Sequence, residues 1–137
     1  MRNIKKLTES SYEGLQDDIK NMVIGTIDVV NFPYHERDTV ITIKSEEFTS
    51  ICPKTGLPDF ARISIHYIPD GKLIELKSLK LYLNSYRNVG IFQENAVNKI
   101  LDDIVKYSDP KFALVIGEFN ARGGLTSRIV ARYDKKR

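Results

Sequence analysis

The spacing of apolar residues along the chain changes twice, from a period of two to helical spacing and back again. Two β-branched runs come first, TIDVVNF at 26–32 and TVITIKSEEF at 39–48, with the turn-like PYHERD between them. Runs of this kind, separated by Pro and Asp, are typical of strands. We predict that the two runs pair with each other.

The segment ARISIHYIP at 61–69 has the clearest alternation. Its apolar residues at 61, 63, 65 and 67 occupy one face and its polar residues at 62, 64 and 66 the other, which predicts a half-buried strand. Pro69-Asp70-Gly71 supplies a turn, and KLIEL at 72–76 resumes the strand pattern. The simplest connection is an antiparallel hairpin between these two segments.

Helical spacing follows. Leu79, Tyr82, Leu83 and Tyr86 fall at i, i+3, i+4 and i+7, which predicts a helix that opens near Ser78, a good cap residue. A second helix is predicted from Phe92 to Tyr107, before Ser108-Asp109-Pro110. Its predicted inward face consists of Val97, Ile100, Leu101 and Ile104.

The last two predicted strands are FALVIGEF at 112–119 and SRIVARY at 127–133, joined by a turn whose adjacent glycines permit a positive φ. The order of strands, two helices and strands indicates one α+β domain over residues 1–137, with an antiparallel sheet and both helices on one face. Both faces of FALVIGEF are apolar. We therefore expect the face without helices to bind further copies of the chain.

Composition and charge limit the remaining possibilities. Hydrophobic residues at 42% and charged residues at 28% predict a chain folded nearly throughout. Residues 1–20, with Leu15, Ile19 and Met22 at helical spacing, are interpreted as an arm or a short helix. The net charge of +3 lies largely in the terminal RYDKKR, and we interpret 134–137 as a solvated basic tail.

No apolar run approaches the roughly 18 residues of a membrane span, and the N-terminus lacks the apolar centre of a secretory signal. We expect a cytoplasmic protein with a reduced thiol, and neither a membrane nor direct nucleic acid among its partners.

The single cysteine, Cys52, lies in ICPKTGLPDF at 51–60, where two prolines and a glycine follow it and Asp59 comes seven residues later. Nearby positive charge from Lys54 or Arg62 would lower the pKa of the thiol and make it a nucleophile. Asp59 would exchange protons if the fold brings it beside the thiol, and the stiff loop would hold both groups. From the residues alone, a reactive thiol, a buried structural thiol and a redox-sensing or surface thiol remain open.

Other site types have weaker signals. One cysteine with His35 and His66 supplies no metal-ligand spacing, and no glycine-rich phosphate loop is present. Lys77 and Lys80 share a helix face and offer two cations to phosphates, with solvated lysines as the alternative. Glu94 is either a favourable charge at a helix start or a carboxylate that accepts two N–H bonds from a guanine-like edge.

Four segments, ICPKTGLPDF, ELKSLKLYLNSYRN, IFQEN and NARGGL, resemble in order and spacing the short, single-module form of the QueF family, across roughly residues 25–133. QueF proteins are NADPH-dependent 7-cyano-7-deazaguanine reductases of queuosine (tRNA modification) biosynthesis. ELKSLKLY is the most specific segment, because it resembles the signature that separates the family from the GTP cyclohydrolase I group. The zinc-ligand pattern of that group is missing here.

The resemblance implies a tunnelling fold (T-fold), in which antiparallel sheets from several subunits close into a β-barrel with active sites between neighbours. The resemblance implies a homo-oligomer based on pentamers, with two stacked pentamers making a decamer. The implied reaction reduces the nitrile of 7-cyano-7-deazaguanine to the primary amine with two NADPH, through a covalent thioimide on cysteine. No metal is required for this chemistry.

The resemblance also assigns roles to individual residues. The implied catalytic residues are Cys52 as nucleophile and Asp59 as general acid/base; the implied substrate-binding residues are Glu75, Ser78, Gln93 and Glu94; and the implied cofactor-binding residues are Lys77, Lys80 and Arg122. Two positions depart from the familiar pattern. Gln93 stands where some members have histidine and cannot relay protons near neutral pH, and Leu76 stands where serine is also familiar.

Two alternatives remain, a related enzyme and a module of another class. The first is an archaeal-type relative that adds ammonia to the nitrile on tRNA without NADPH, and the retained cofactor-binding cations argue against it. The second is a non-catalytic T-fold module that binds a purine-like ligand or tRNA. The joint presence of the catalytic pair and Glu94 argues against that module.

Overall fold

A computed structural model describes residues 13–136, so predictions for residues 1–12 and 137 lie outside the described residues. The elements run in the order 3-10 helix (Glu13–Asn21), β1 (Val29–Asn31), β2 (Ile41–Ile51), β3 (Pro58–Ile68), β4 (Lys72–Ile74), α1 (Leu76–Asn84), a second 3-10 helix (Ser85–Asn88), α2 (Gln93–Ser108), β5 (Phe112–Arg122) and β6 (Leu125–Asp134). The predicted α+β class is confirmed.

The strands form a four-stranded antiparallel sheet in the order β2-β3-β5-β6 and a separate two-stranded sheet of β1 and β4. Both pairings predicted for the first half of the chain are therefore wrong. The edges of β3 are occupied by β2 and β5, which match its 11 residues, whereas β4 has only three. Instead, β4 pairs with β1, and its Ile74 N–H donates to the buried hydroxyl of Tyr67 on β3.

The core lies between one face of the four-stranded sheet and the helices. The predicted inward residues of β3, α1 and α2 are confirmed, since Ile63, Tyr82 and Val97 are each at most 1% exposed. Helix α2 lies close to β5 because position 117 is glycine. A Cβ there would lie 2.6 Å from Cγ2 of Val97, closer than carbon atoms can approach.

The two ends of the four-stranded sheet differ. At one end, Gly123 and Gly124 adopt φ of 57° and 81° in the β5–β6 turn, as predicted. At the other end, the prediction of a solvated tail is wrong for Lys135, whose Nζ lies 2.8 Å from Asp70 and 3.1 Å from Asp109. Of the helices within residues 13–136, none is long and apolar enough to cross a membrane.

Candidate active site

The loop between β2 and β3 holds Cys52 in a closed turn. The Cys52 N–H donates to Leu57 O and the Gly56 N–H donates to Cys52 O, both at 2.9 Å. Gly56 has φ of 71°, which disfavours other residues at this point. These bonds close the loop at the turn that the prolines and glycine predict, and its stiffness stays a prediction. On its upstream side, Ile51 bonds the backbone of Val89 and Ile91 in the segment before α2.

The half-buried thiol of Cys52 is surrounded by hydrogen-bond donors. Burial raises the pKa of the thiol, but the Thr55 hydroxyl, the backbone N–H groups of Thr55 and Lys54, and the side chain of Arg122, which lie near the sulfur, lower the pKa overall. Donors of this kind stabilise the thiolate relative to the thiol. The geometry therefore favours the reactive thiol over the inert structural thiol.

Asp59 lies beside this cluster, but it is part of strand β3 and not of the loop. Its side chain is 5% exposed, and Oδ1 accepts a hydrogen bond of 2.9 Å from Nη1 of Arg122. Arg122 is the last residue of β5, the strand that pairs with β3. The pairing of three neighbouring strands thus brings together Cys52, Asp59 and Arg122.

The start of α2 is held by a residue far away in the chain. Its N-cap residue, Phe92, contributes no side-chain hydrogen bond. The side chain of Gln16, from the first 3-10 helix, instead accepts from the Phe92 N–H at 3.0 Å and from Asn95 Nδ2 at 2.9 Å, and donates to Gly90 O at 3.0 Å. Gln16 therefore fixes the segment whose backbone adjoins Ile51.

Two predicted substrate-binding residues occupy the first turn of α2. The Gln93 amide oxygen accepts a short hydrogen bond from the Ser127 hydroxyl on β6, so this side chain is tied to the sheet. Glu94 is exposed at the helix start, where a negative charge is favoured by the helix dipole.

The prediction that Ser78 caps α1 is wrong, because the helix begins at Leu76 with Glu75 as its N-cap. The Glu75 carboxylate accepts from the N–H groups of Lys77 at 3.0 Å and Ser78 at 2.7 Å, and these bonds lower its pKa. Ser78 is nearly buried and bridges Glu75 O and the Asp28 N–H. Both residues stabilise the helix start, and their substrate contacts stay a prediction.

Lys77 and Lys80 are exposed on α1, as predicted. Lys80 lines a groove of about 390 Å³ between α1 and residues 43–47 of β2. Cys52 directly follows this strand, at least five residues beyond the groove, which is roughly 15 Å or more at about 3.3 Å per residue. Within one chain, the groove that Lys80 lines is therefore well separated from the Cys52 thiol.

Sequence reasoning missed two residues of this site. Thr55 follows Cys52 by three positions, a spacing at which a side chain caps a turn, and this signal was present in CPKT. For Gln16, no local signal exists, since its partners lie 74 to 79 residues away. Across the described residues 13–136, no group of three His, Cys, Asp or Glu side chains could hold a metal ion.

The sequence model of a family described as QueF-like protein matches residues 58–137. The chain belongs to the QueF family. The match includes Asp59, Arg122 and both α-helices, and Cys52 precedes it.

Relatives support this membership over a longer stretch. The NADPH-dependent 7-cyano-7-deazaguanine reductase of Caldicellulosiruptor bescii is 59% identical over 109 residues, covering 80% of this chain and 83% of the relative. The protein of the same name from Elusimicrobium minutum is 62% identical over 102 residues, covering 74% and 77%. QueF-family membership therefore rests on most of the chain.

A solved structure confirms the predicted fold. The crystal structure of the archaeosine synthase QueF-Like in the apo form matches this QueF-family chain with a TM-score of 0.68, over 74% of this chain and 99% of that one. The two are 22% identical, so the likeness concerns the fold, the T-fold.

Proposed function

We propose that this chain is an NADPH-dependent 7-cyano-7-deazaguanine reductase that acts through a covalent thioimide on Cys52. The observation that carries the proposal is the cluster of Cys52, Asp59 and Arg122, in which a thiol with a lowered pKa lies beside a nearly buried carboxylate. The names of the relatives, which cover most of the chain, support the same activity.

The first step joins the sulfur to the nitrile carbon. The thiolate electron pair forms the C–S bond while one π bond of the nitrile becomes a lone pair on nitrogen, which takes a proton. Arg122 engages Oδ1 of Asp59, and we infer that Oδ2 delivers this proton. The proton released by the Cys52 thiol passes to Asp59, so the step needs no external acid.

Reduction then requires two hydrides, which NADPH supplies when bound. The groove beside α1 fits a cofactor, because Lys80 supplies a cation and Ile43, Leu76 and Leu83 supply apolar walls. We propose that Lys77 and Lys80 bind its phosphates. Arg122, whose side chain is 31% exposed, would add a phosphate contact while holding Asp59.

The groove and the thiol lie apart in one chain, and we infer that a second subunit brings them together. The sheet face away from the helices supports this assembly, since it carries half-buried Leu114 and Ile116 beside Val130, which is 48% exposed. A pentamer-based ring, alone or doubled to a decamer, would cover this face. Glu94 would then bind the pyrimidine edge of the deazaguanine, with Gln93, Glu75 and Ser78 around it.

Mass spectrometry of the intact protein tests the proposal. Incubation with 7-cyano-7-deazaguanine, without NADPH, should add the mass of the nitrile, and addition of NADPH should yield the primary amine as NADPH absorbance falls. Cys52→Ala should abolish both the adduct and NADPH oxidation. Undiminished turnover in Cys52→Ala would end the proposal, and product formed from ammonia without NADPH would favour the amidine-forming alternative.

A further inference from the structure

Gln16 lies half-buried in the first 3-10 helix and was assigned no role from the sequence. Its amide contacts three groups of the segment that leads into α2. The oxygen accepts from the Phe92 N–H at 3.0 Å and from Nδ2 of Asn95 at 2.9 Å, and the nitrogen donates to Gly90 O at 3.0 Å. Both ends of the amide are therefore engaged with groups 74 to 79 residues away in the chain.

These bonds replace the side-chain cap that α2 lacks. In a capping box, the side chain three residues after the N-cap accepts a hydrogen bond from the N-cap N–H. In α2 that residue is Asn95, whose amide nitrogen donates to Gln16 instead, while the Gln16 oxygen accepts from the N–H of the N-cap residue, Phe92. The start of α2 is therefore capped from a distant part of the chain, and its position depends on the first 3-10 helix.

The same amide connects the start of α2 to the strand that precedes the thiol. Gly90, whose carbonyl accepts from Gln16, forms a parallel bridge with Ile51, the residue directly before Cys52. The backbone of Ile51 is hydrogen-bonded to the residues on either side of Gly90, in both cases at 2.9 Å. One side chain thus joins the first turn of α2 to the segment that holds the end of β2.

We propose that Gln16 is a positioning residue, which holds the first turn of α2 so that Glu94 reaches the ring of a substrate whose nitrile is attached to Cys52. The inference rests on the proposed function, in which Glu94 binds the pyrimidine edge of the deazaguanine. Glu94 lies between two tied residues, Gln93, which is bonded to β6, and Asn95, which is bonded to Gln16. Because the ring is rigid, the carboxylate at one side of it and the sulfur at the other must keep a set separation.

The first test is steady-state kinetics of Gln16→Met in the full-length protein. This substitution keeps the length of the side chain and removes its hydrogen-bonding groups, so KM for 7-cyano-7-deazaguanine should rise about tenfold as the binding carboxylate is displaced. The reacting groups and the lysines of α1 are untouched, so kcat and KM for NADPH should stay within about twofold of the wild type. An unchanged KM for the nitrile, or an equal rise in both KM values, would overturn the inference.

Two further variants separate positioning from a loss of stability. Ser108→Ala removes a buried hydrogen bond of 2.7 Å at the other end of α2, and it should leave KM for the nitrile unchanged. Asn95→Ala removes only one donor to the Gln16 oxygen and should raise KM for the nitrile about threefold, so it keeps the test decisive if Gln16→Met does not fold. A rise in Ser108→Ala as large as in the Gln16 or Asn95 variant would refute a positioning role.

Hydrogen–deuterium exchange of the free proteins tests the contact without substrate or NADPH. In Gln16→Met, exchange within residues 90–95 should accelerate about tenfold because the Phe92 N–H loses its acceptor, whereas exchange of β5 and β6 should not change. Unchanged exchange within residues 90–95 would overturn the inference. Absence of the nitrile adduct in the wild type would instead refute the proposed function and leave the exchange result standing.

Discussion

The two halves of the proposed site lie after the C-terminal end of β2 and beside its middle, and they are held in different ways. After its C-terminal end, the backbone of Cys52 is hydrogen-bonded within its own loop, and Asp59 is nearly buried against Arg122 of β5. Beside its middle, Lys80 lines an open groove, and Lys77 is exposed on the same helix. One half is assembled within the chain, and the other is open.

The difference follows from the cost of leaving each group without a partner. A partly buried thiolate without donors is expensive, so the chain must supply them itself. An exposed lysine is hydrated, so the absence of an ion-pair partner costs little free energy before a phosphate binds. Under the proposed function, the nucleophile would therefore be pre-organised, and the binding half would be completed by the ligand and by a neighbouring subunit.

The largest effect is expected from a substitution in the pre-organised half, Asp59→Asn. Asp59→Asn keeps the shape of the side chain but removes the transferable proton and the ion pair with Arg122. NADPH oxidation in the presence of the nitrile should fall about 10²- to 10⁴-fold, the usual contribution of a general acid. The matched control is Asp38→Asn, which removes a carboxylate paired with Lys111 in an exposed ion pair. Turnover within twofold of the wild type in Asp59→Asn would remove Asp59 from the mechanism.

A smaller effect is expected in the open half. Lys80→Ala should raise KM for NADPH about tenfold, the loss of roughly one charge-assisted contact, and should leave the nitrile adduct on Cys52 intact. Steady-state kinetics and intact mass measure the two effects separately. Lys72→Ala, an exposed lysine on β4, serves as the control. An equal loss of adduct and cofactor affinity would mean that the two halves are not separable.

The sequence predicted local features well and long-range contacts poorly. Alternation identified the buried face of β3, and helical spacing identified the buried stripes of both helices, because each pattern is local. The pairing of β1 with β4 was missed, since each has three residues and their partners are more than 40 residues apart. A short strand pairs with an edge that remains available after the long strands have paired, and this cannot be determined from its own sequence.

Within the site, Cys52 and its stiff loop were predictable from 51–60 because prolines and a glycine mark the turn. The bond from Arg122 to Asp59 spans 63 residues and depends on the register of β3 against β5. A resemblance assigned Arg122 to the cofactor, but only the folded sheet brings it to the thiol. Such contacts have no local signal.

The smallest expected effect sharpens the description of the Cys52 half. Ser50 lies directly across from Asp59 in the β2–β3 register, and within residues 13–136 its Oγ is fully buried without a hydrogen-bond partner. Ser50→Ala removes an unsatisfied hydroxyl, so the free energy of unfolding should stay unchanged or rise by up to about 1 kcal/mol. Urea denaturation of the full-length protein measures it.

Ser108 provides the comparison, because its hydroxyl is equally buried but donates to Ile104 O at 2.7 Å. Ser108→Ala should lower the free energy of unfolding by about 1 kcal/mol, the net value of one satisfied hydrogen bond. If Ser50→Ala destabilises the protein as much, Ser50 is bonded in solution, and Asp59 across the strand pair is its nearest candidate partner. The pre-organised half would then include a hydrogen bond from Ser50 in addition to the contacts of Arg122. The two halves would then differ still more in the number of contacts that the chain itself supplies.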